Sequence, residues 1–169
     1  MTYALTCYFN YGRSREIAHN FDLARLTWKN SGIPLLSIGI QTLQGRECEL
    51  LDNPPDIVVE SESILGHKES LINRLARILP LDCDKVIVFD GDIIWNNYEW
   101  GQELETKLGK YPVVQMWSRM VNLDPRGRPR LPEWSRAARP VESGYFGAMA
   151  FHREFFDWIG LYDYLVTGP

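Results

Sequence analysis

An α/β fold with a mostly parallel central sheet is what this sequence predicts, on three observations. Tyr3 to Phe9, Arg13 to Lys29 and Leu35 to Ile40 give an apolar run, a segment with helical spacing and a second apolar run, the order and length of a parallel β-α-β crossover. Lys85 to Trp95, KVIVFDGDIIW, sets Val86, Ile87, Val88 and Phe89 side by side without alternation, as in a strand covered on both faces. A helical pattern precedes that strand and another follows it, so the two kinds of element alternate along the chain.

Taken in order, the first strand is broken by Asn10-Tyr11-Gly12. The first helix follows, with Ile17, Phe21, Ala24 and Trp28 on one face, and Ser31-Gly32 with Pro34 beyond end it. Between the second strand and the next helix, Asp52 to Asp56 is a loop and Ile57-Val58-Val59 is a short edge strand. The helix after Gly66-His67-Lys68-Glu69 carries Leu71, Ile72, Leu75, Ala76, Ile78 and Leu79 on a broad apolar face, and Pro80 ends it. Past Trp95, the spacing of Trp100, Leu104 and Leu108 predicts a surface helix capped by Gly109, and Tyr111 to Trp117 is a strand with Pro112 near its start. Residues 119–141 hold six arginines and four prolines without periodicity, a long basic loop of the kind that often closes over a site, with a plain flexible insertion as the competing reading. Glu142 to Phe151 resumes ordered structure, and Arg153 to Ile159 is a short helix burying Phe155, Phe156 and Ile159 before Gly160.

Composition narrows the function classes. The 169 residues suffice for a single domain with a real core, and 45% hydrophobic content fits a globular protein. A net charge of −4 gives no general attraction to nucleic acid or to an anionic membrane. Cys7, Cys48 and Cys83 have no metal-ligand spacing and fit buried thiols in a reducing compartment. With no apolar run near the roughly 20 residues that span a bilayer, the expectation is a cytoplasmic protein without a transmembrane segment.

The chemistry concentrates at Asp90-Gly91-Asp92. At the carboxyl end of a buried strand two carboxylates face the crevice where open α/β sheets bind ligands, and can meet a divalent metal and its diphosphate. Gly91 permits a tight or left-handed backbone that turns both to one side. The loop with Asn10, Arg13 and Arg15 also follows a strand, so its guanidiniums are placed to reach a nucleotide or phosphate; solvated first-turn arginines are the competing reading. Lys68 approaches phosphate from a helix start, with Asn73 one turn on facing a similar direction. Gly144 and Tyr145 lie among small residues that allow close backbone approach to a ligand. His67 reads as a capping or surface residue and His152 as a hydrogen-bonded structural one.

Four segments, FNYGRSRE, GHKESLIN, VIVFDGDIIW and SGYFGAMAFHREFFDWIGLYD, in this order resemble the nucleotide-sugar-dependent glycosyltransferases of the GT-A fold, in particular their galactosyltransferase-like pattern. The resemblance implies a three-layer GT-A-like fold and a nucleotide-diphosphate sugar as donor. By that pattern Arg13, Arg15 and Lys68 hold the donor, and Asp90 and Asp92 hold Mn²⁺ or Mg²⁺; Asn10, Asn73, Asp90, Gly144 and Tyr145, from their places in the chain, complete the expected donor contacts. The glycine-rich acidic motif that follows the last helix in that family, and supplies its catalytic carboxylate, has no counterpart before Pro169. The expectation is therefore one glycosyltransferase-like domain over residues 1–169, incomplete at its C-terminus, with the catalytic base and the acceptor unassigned. A non-catalytic nucleotide-sugar or sugar-binding module is the alternative. A phosphatase of the haloacid dehalogenase type fits less well, because its Asp-x-Asp strand opens the domain.

Overall fold

The computed structural model describes residues 1–42, 56–62, 68–95, 97, 99–118, 121, 123, 128 and 147–160. Its elements are β1 (Thr2–Tyr8), α1 (Arg15–Lys29), β2 (Leu35–Thr42), β3 (Ile57–Ser61), α2 (Lys68–Arg77), β4 (Lys85–Phe89), α3 (Trp100–Leu108), β5 (Val113–Gln115), β6 (Ala148–His152) and α4 (Arg153–Ile159). The six strands form one sheet in the order β3-β2-β1-β4-β6-β5. β3, β2, β1 and β4 are parallel neighbours, β6 runs antiparallel to β4, and β5 antiparallel to β6. This is the mixed, mostly parallel α/β sheet that the sequence predicts.

Helices cover both faces. Leu5, Cys7, Ile38, Val86 and Val88 pack against Leu71, Ile72 and Leu75 of α2 and Phe156 of α4. Ala4, Ile87 and Phe89 point the other way, against Trp28 of α1 and Trp100, Leu104 and Leu108 of α3. Each β4 side chain from Val86 to Phe89 is therefore buried whichever way it points, which is why the run does not alternate. On the α1 side, Trp28 stacks on Phe89 with ring centroids 4.5 Å apart, and its indole N–H donates to the Ile33 carbonyl at 2.9 Å.

The topology places a crevice. From β1 the chain winds outward through α1 to β2 and β3, then crosses back over the other face through α2 to β4 on the opposite side of β1. Successive right-handed crossovers in opposite directions put their helices on opposite faces, and the strand order reverses between β1 and β4. The β1–β4 pairing runs as far as Leu5 with Val88. Just beyond it the buried Thr6 hydroxyl donates to the Phe89 carbonyl at 2.9 Å, holding the two strand ends together.

Several expectations are corrected at element ends. Ile17, Ile78 and Ile159 are each at least 44% exposed. The apolar period continues through them, but no first-turn residue of α1 is buried, Ile78 falls after α2 has ended, and in α4 only Phe156 is buried. The Tyr111 to Trp117 strand shrinks to Val113–Gln115, with the Pro112 carbonyl accepting the His152 N–H at 2.9 Å. β6 begins at Ala148, and residues 142–146 lie outside the described residues. Among the described residues, no helix is long and apolar enough to cross a membrane.

Candidate functional site

The site is built from the turn that follows β4. The Asp90 N–H donates to the Gly147 carbonyl at 2.9 Å, one step beyond the pairing of Phe89 with Ala148, so β6 fixes where the turn begins. The Ile93 N–H then donates to the Asp90 carbonyl at 3.2 Å and closes the turn over Gly91 and Asp92. Gly91 is required by space. A Cβ there would stand 2.9 Å from the Cys7 carbonyl and 2.9 Å from the Phe21 ring. The left-handed backbone expected as one reason for this glycine is found instead at Gly32 and Gly160. The Asp90-Gly91-Asp92 turn thus lies directly over the end of β1, at the reversal of strand order.

Lys68 opens α2 and reaches across to form an ion pair with Oδ1 of Asp90. The Cys7 thiol, at 3.6 Å from the Lys68 carbonyl, ties the start of α2 to the end of β1. Burial pushes that thiol far above its ordinary pKa against the opposing effect of Lys68, so Cys7 is a neutral packing group rather than a nucleophile. Burial also pushes the Asp90 carboxyl above the usual carboxylate range. The Lys68 ammonium and its hydrogen bond oppose this, while the Asp92 charge adds to it. Asp92 itself is exposed.

The loop after β1 lies at the same end of the sheet. Asn10 is committed to it: its side-chain oxygen accepts the Ser14 N–H at 2.7 Å, and its amide donates to the Ser14 carbonyl at 3.0 Å and the Tyr8 hydroxyl at 2.9 Å. Ser14 in turn caps α1 by accepting the Ile17 N–H. Arg13 is exposed and held at a φ of 51°, a conformation rare outside glycine, and Arg15 is exposed on the first turn of α1. The structure therefore brings Asn10, Arg13, Arg15, Lys68, Asp90 and Asp92 to one end of the sheet. Asn73 is five residues beyond Lys68, about 140° round the helix, and does not share its direction. Gly144, Tyr145 and His67 lie outside the described residues, as does most of the 119–141 segment. His152 is structural, its Nε2 lying 2.6 Å from the Leu108 carbonyl and joining β6 to the end of α3.

The donor set suits a hard divalent cation. Asp90 and Asp92 offer carboxylate oxygens from the two ends of one Asp-Gly-Asp turn, and among the described residues no group of three or more His, Cys, Asp or Glu that could hold a metal ion is found. Such a pair matches an ion of the Mg²⁺ kind, which keeps waters and takes its remaining ligands from phosphate oxygens. The Lys68 contact to Asp90 had no local signal in the sequence, since the two residues are 22 positions apart.

No protein-family model and no curated protein matches this sequence. Solved structures do match the fold. The 4-diphosphocytidyl-2C-methyl-D-erythritol synthase of Anaerococcus prevotii aligns over 99% of this chain and 78% of its own, with a TM-score of 0.55 at 11% identity. A mutant β-1,4-galactosyltransferase 7 of Drosophila, in complex with manganese, UDP-Gal and xylobiose, aligns over 99% of this chain with a TM-score of 0.52 at 16% identity. A mannosyltransferase of Pyrobaculum calidifontis, in complex with GDP-Man and Mn²⁺, aligns over 95% with a TM-score of 0.53 at 15% identity. The chain spans 56% and 46% of the lengths of those two transferases. The fold is thus the three-layer, GT-A-like fold of nucleotide-diphospho-sugar transferases.

Proposed function

We propose that this chain is a metal-dependent glycosyltransferase, or its donor-binding portion, transferring a sugar from a nucleotide-diphosphate sugar to an acceptor still to be identified. The observation that supports the reading is the ion pair of Lys68 with Asp90, with the exposed Asp92 in the same turn, at the reversal of strand order between β1 and β4. Two carboxylates and one ammonium are what a cation and a diphosphate need from a protein when each also supplies ligands to the other.

In this reading Asp90 and Asp92 hold Mn²⁺ or Mg²⁺, which when bound withdraws charge from the two phosphates. Lys68 places its ammonium where negative charge grows on the departing diphosphate, and such a group stabilises the transition state more than the ground state. Arg13 and Arg15 provide guanidiniums for the nucleotide end of the donor, while Asn10 holds their loop in shape. Gly144 and Tyr145 enter as proposed donor contacts from the sequence alone, as small and aromatic residues that allow close approach to a ligand. The general base remains unassigned.

The phosphatase reading is weaker because Asp-x-Asp follows the fourth strand, and Asp90 is already paired with Lys68. The decisive assay offers a panel of nucleotide sugars with Mn²⁺ and measures release of nucleoside diphosphate. Release that depends on Mn²⁺ and on Asp92 supports the transferase, and hydrolysis of simple phosphate esters with no nucleotide preference contradicts it. Metal-independent binding of free sugar without release identifies a binding module instead.

A further inference from the structure

Resting on the donor-site reading, we infer that Lys68 and the divalent cation compete for Asp90, and that the diphosphate resolves the competition by giving Lys68 a new partner. Lys68 Nζ is paired with Oδ1 of Asp90, one of the two carboxylates available to a cation there. A cation arriving at Asp90 meets an ammonium already on that oxygen. It must displace the ammonium or bind beside a like charge, and both weaken binding. Both side chains reach solvent, Lys68 24% and Asp90 41% exposed, so a cation can approach the pair. The bound diphosphate then reverses the sign of the interaction, because its oxygens attract the displaced ammonium and the cation together.

Lys68 is therefore a coupling residue as well as a phosphate contact. It makes the nucleotide-free protein a poor metal binder and makes metal and nucleotide bind together. Since coupling is reciprocal, the cation raises nucleotide affinity by the factor that nucleotide raises cation affinity. Asp92 is exposed and outside the pair, so it offers the cation a first foothold while Asp90 is held.

The test measures Mn²⁺ binding by electron paramagnetic resonance of the free ion, with Mn²⁺ alone and with uridine diphosphate. Lys68→Met is expected to bind Mn²⁺ alone about tenfold more tightly than the unaltered protein, and to lose most of the gain conferred by uridine diphosphate. Methionine is a good helix former, so α2 is retained, and circular dichroism checks it. Lys68→Arg keeps the charge and should bind Mn²⁺ alone more weakly than Lys68→Met does. Arg77→Met, at the far end of the same helix, should not change Mn²⁺ binding, which separates a local effect from net charge. If Lys68→Met binds Mn²⁺ alone no more tightly while uridine diphosphate still recruits Mn²⁺ to the unaltered protein, the competition is wrong and the donor site stands. If no form binds Mn²⁺ with or without the nucleotide, both are wrong.

Discussion

A side chain on Gly91 would collide with the backbone carbonyl of Cys7, at 2.9 Å from its Cβ. The Phe21 ring, equally close, is buried against Tyr8, and the Cys7 carbonyl belongs to a strand paired in register with β2, so neither yields readily. Gly91→Ala is therefore expected to destabilise the protein by about 2–3 kcal/mol, as overpacking does in a tight core. It should also lift Asp90 and Asp92 off the end of β1. Urea denaturation gives the first effect and Mn²⁺ titration the second; an alanine variant of unchanged stability contradicts the packing account.

Arg13 invites the opposite change. Its φ of 51° strains any residue with a Cβ, and its side chain is exposed. Arg13→Gly should raise stability by a few tenths to about 1 kcal/mol, the relief being partly offset by the greater freedom of glycine when unfolded. If the guanidinium serves the donor, the same variant binds nucleotide less tightly. Thermal unfolding with nucleotide titration reads both, and a variant that gains stability while keeping full affinity removes Arg13 from the donor site.

Away from the site, Arg25 of α1 pairs with Asp56 at 3.0 Å, just ahead of β3, and the Asp56 side chain is only 3% exposed. Burial pushes this carboxyl above its ordinary range, with Arg25 opposing. Arg25→Met leaves the buried carboxylate without its ion-pair partner and should cost about 3–5 kcal/mol near neutral pH, whereas Arg25→Met with Asp56→Leu should recover most of it. A raised folded-state pKa means the folded chain holds its proton to higher pH than the unfolded one. Stability is thus lost as pH rises from the unfolded carboxylate value through the folded value; Arg25→Met raises the folded value further, so its deficit should grow as pH rises past the folded value of the unaltered protein. Denaturation across the acid range checks this, and a deficit independent of pH contradicts it.

Much of this was legible where burial is periodic or complete. Trp100, Leu104 and Leu108 recur at helical spacing, and the observed helix has the bounds they imply. Val86 to Phe89 announces a strand with two covered faces because every side chain in it must be apolar. The pattern misled at Ile17, Ile78 and Ile159, where an apolar period outruns the surface it packs against. The carboxylates of the site were legible from their place after a buried strand. Lys68 on Asp90 and Gly91 against Cys7 were not, since each contact joins segments that meet only when β1 and β4 lie side by side.

Asp90 and Asp92 are proposed to recruit a cation together with a nucleoside diphosphate at the crevice between β1 and β4. Calorimetric titration of uridine, guanosine and cytidine diphosphates, with and without Mn²⁺, tests it most directly. At least one nucleotide should bind in the presence of Mn²⁺ and lose about tenfold or more in affinity without it or in Asp92→Ala. Binding that is indifferent to both the metal and Asp92 would contradict the account.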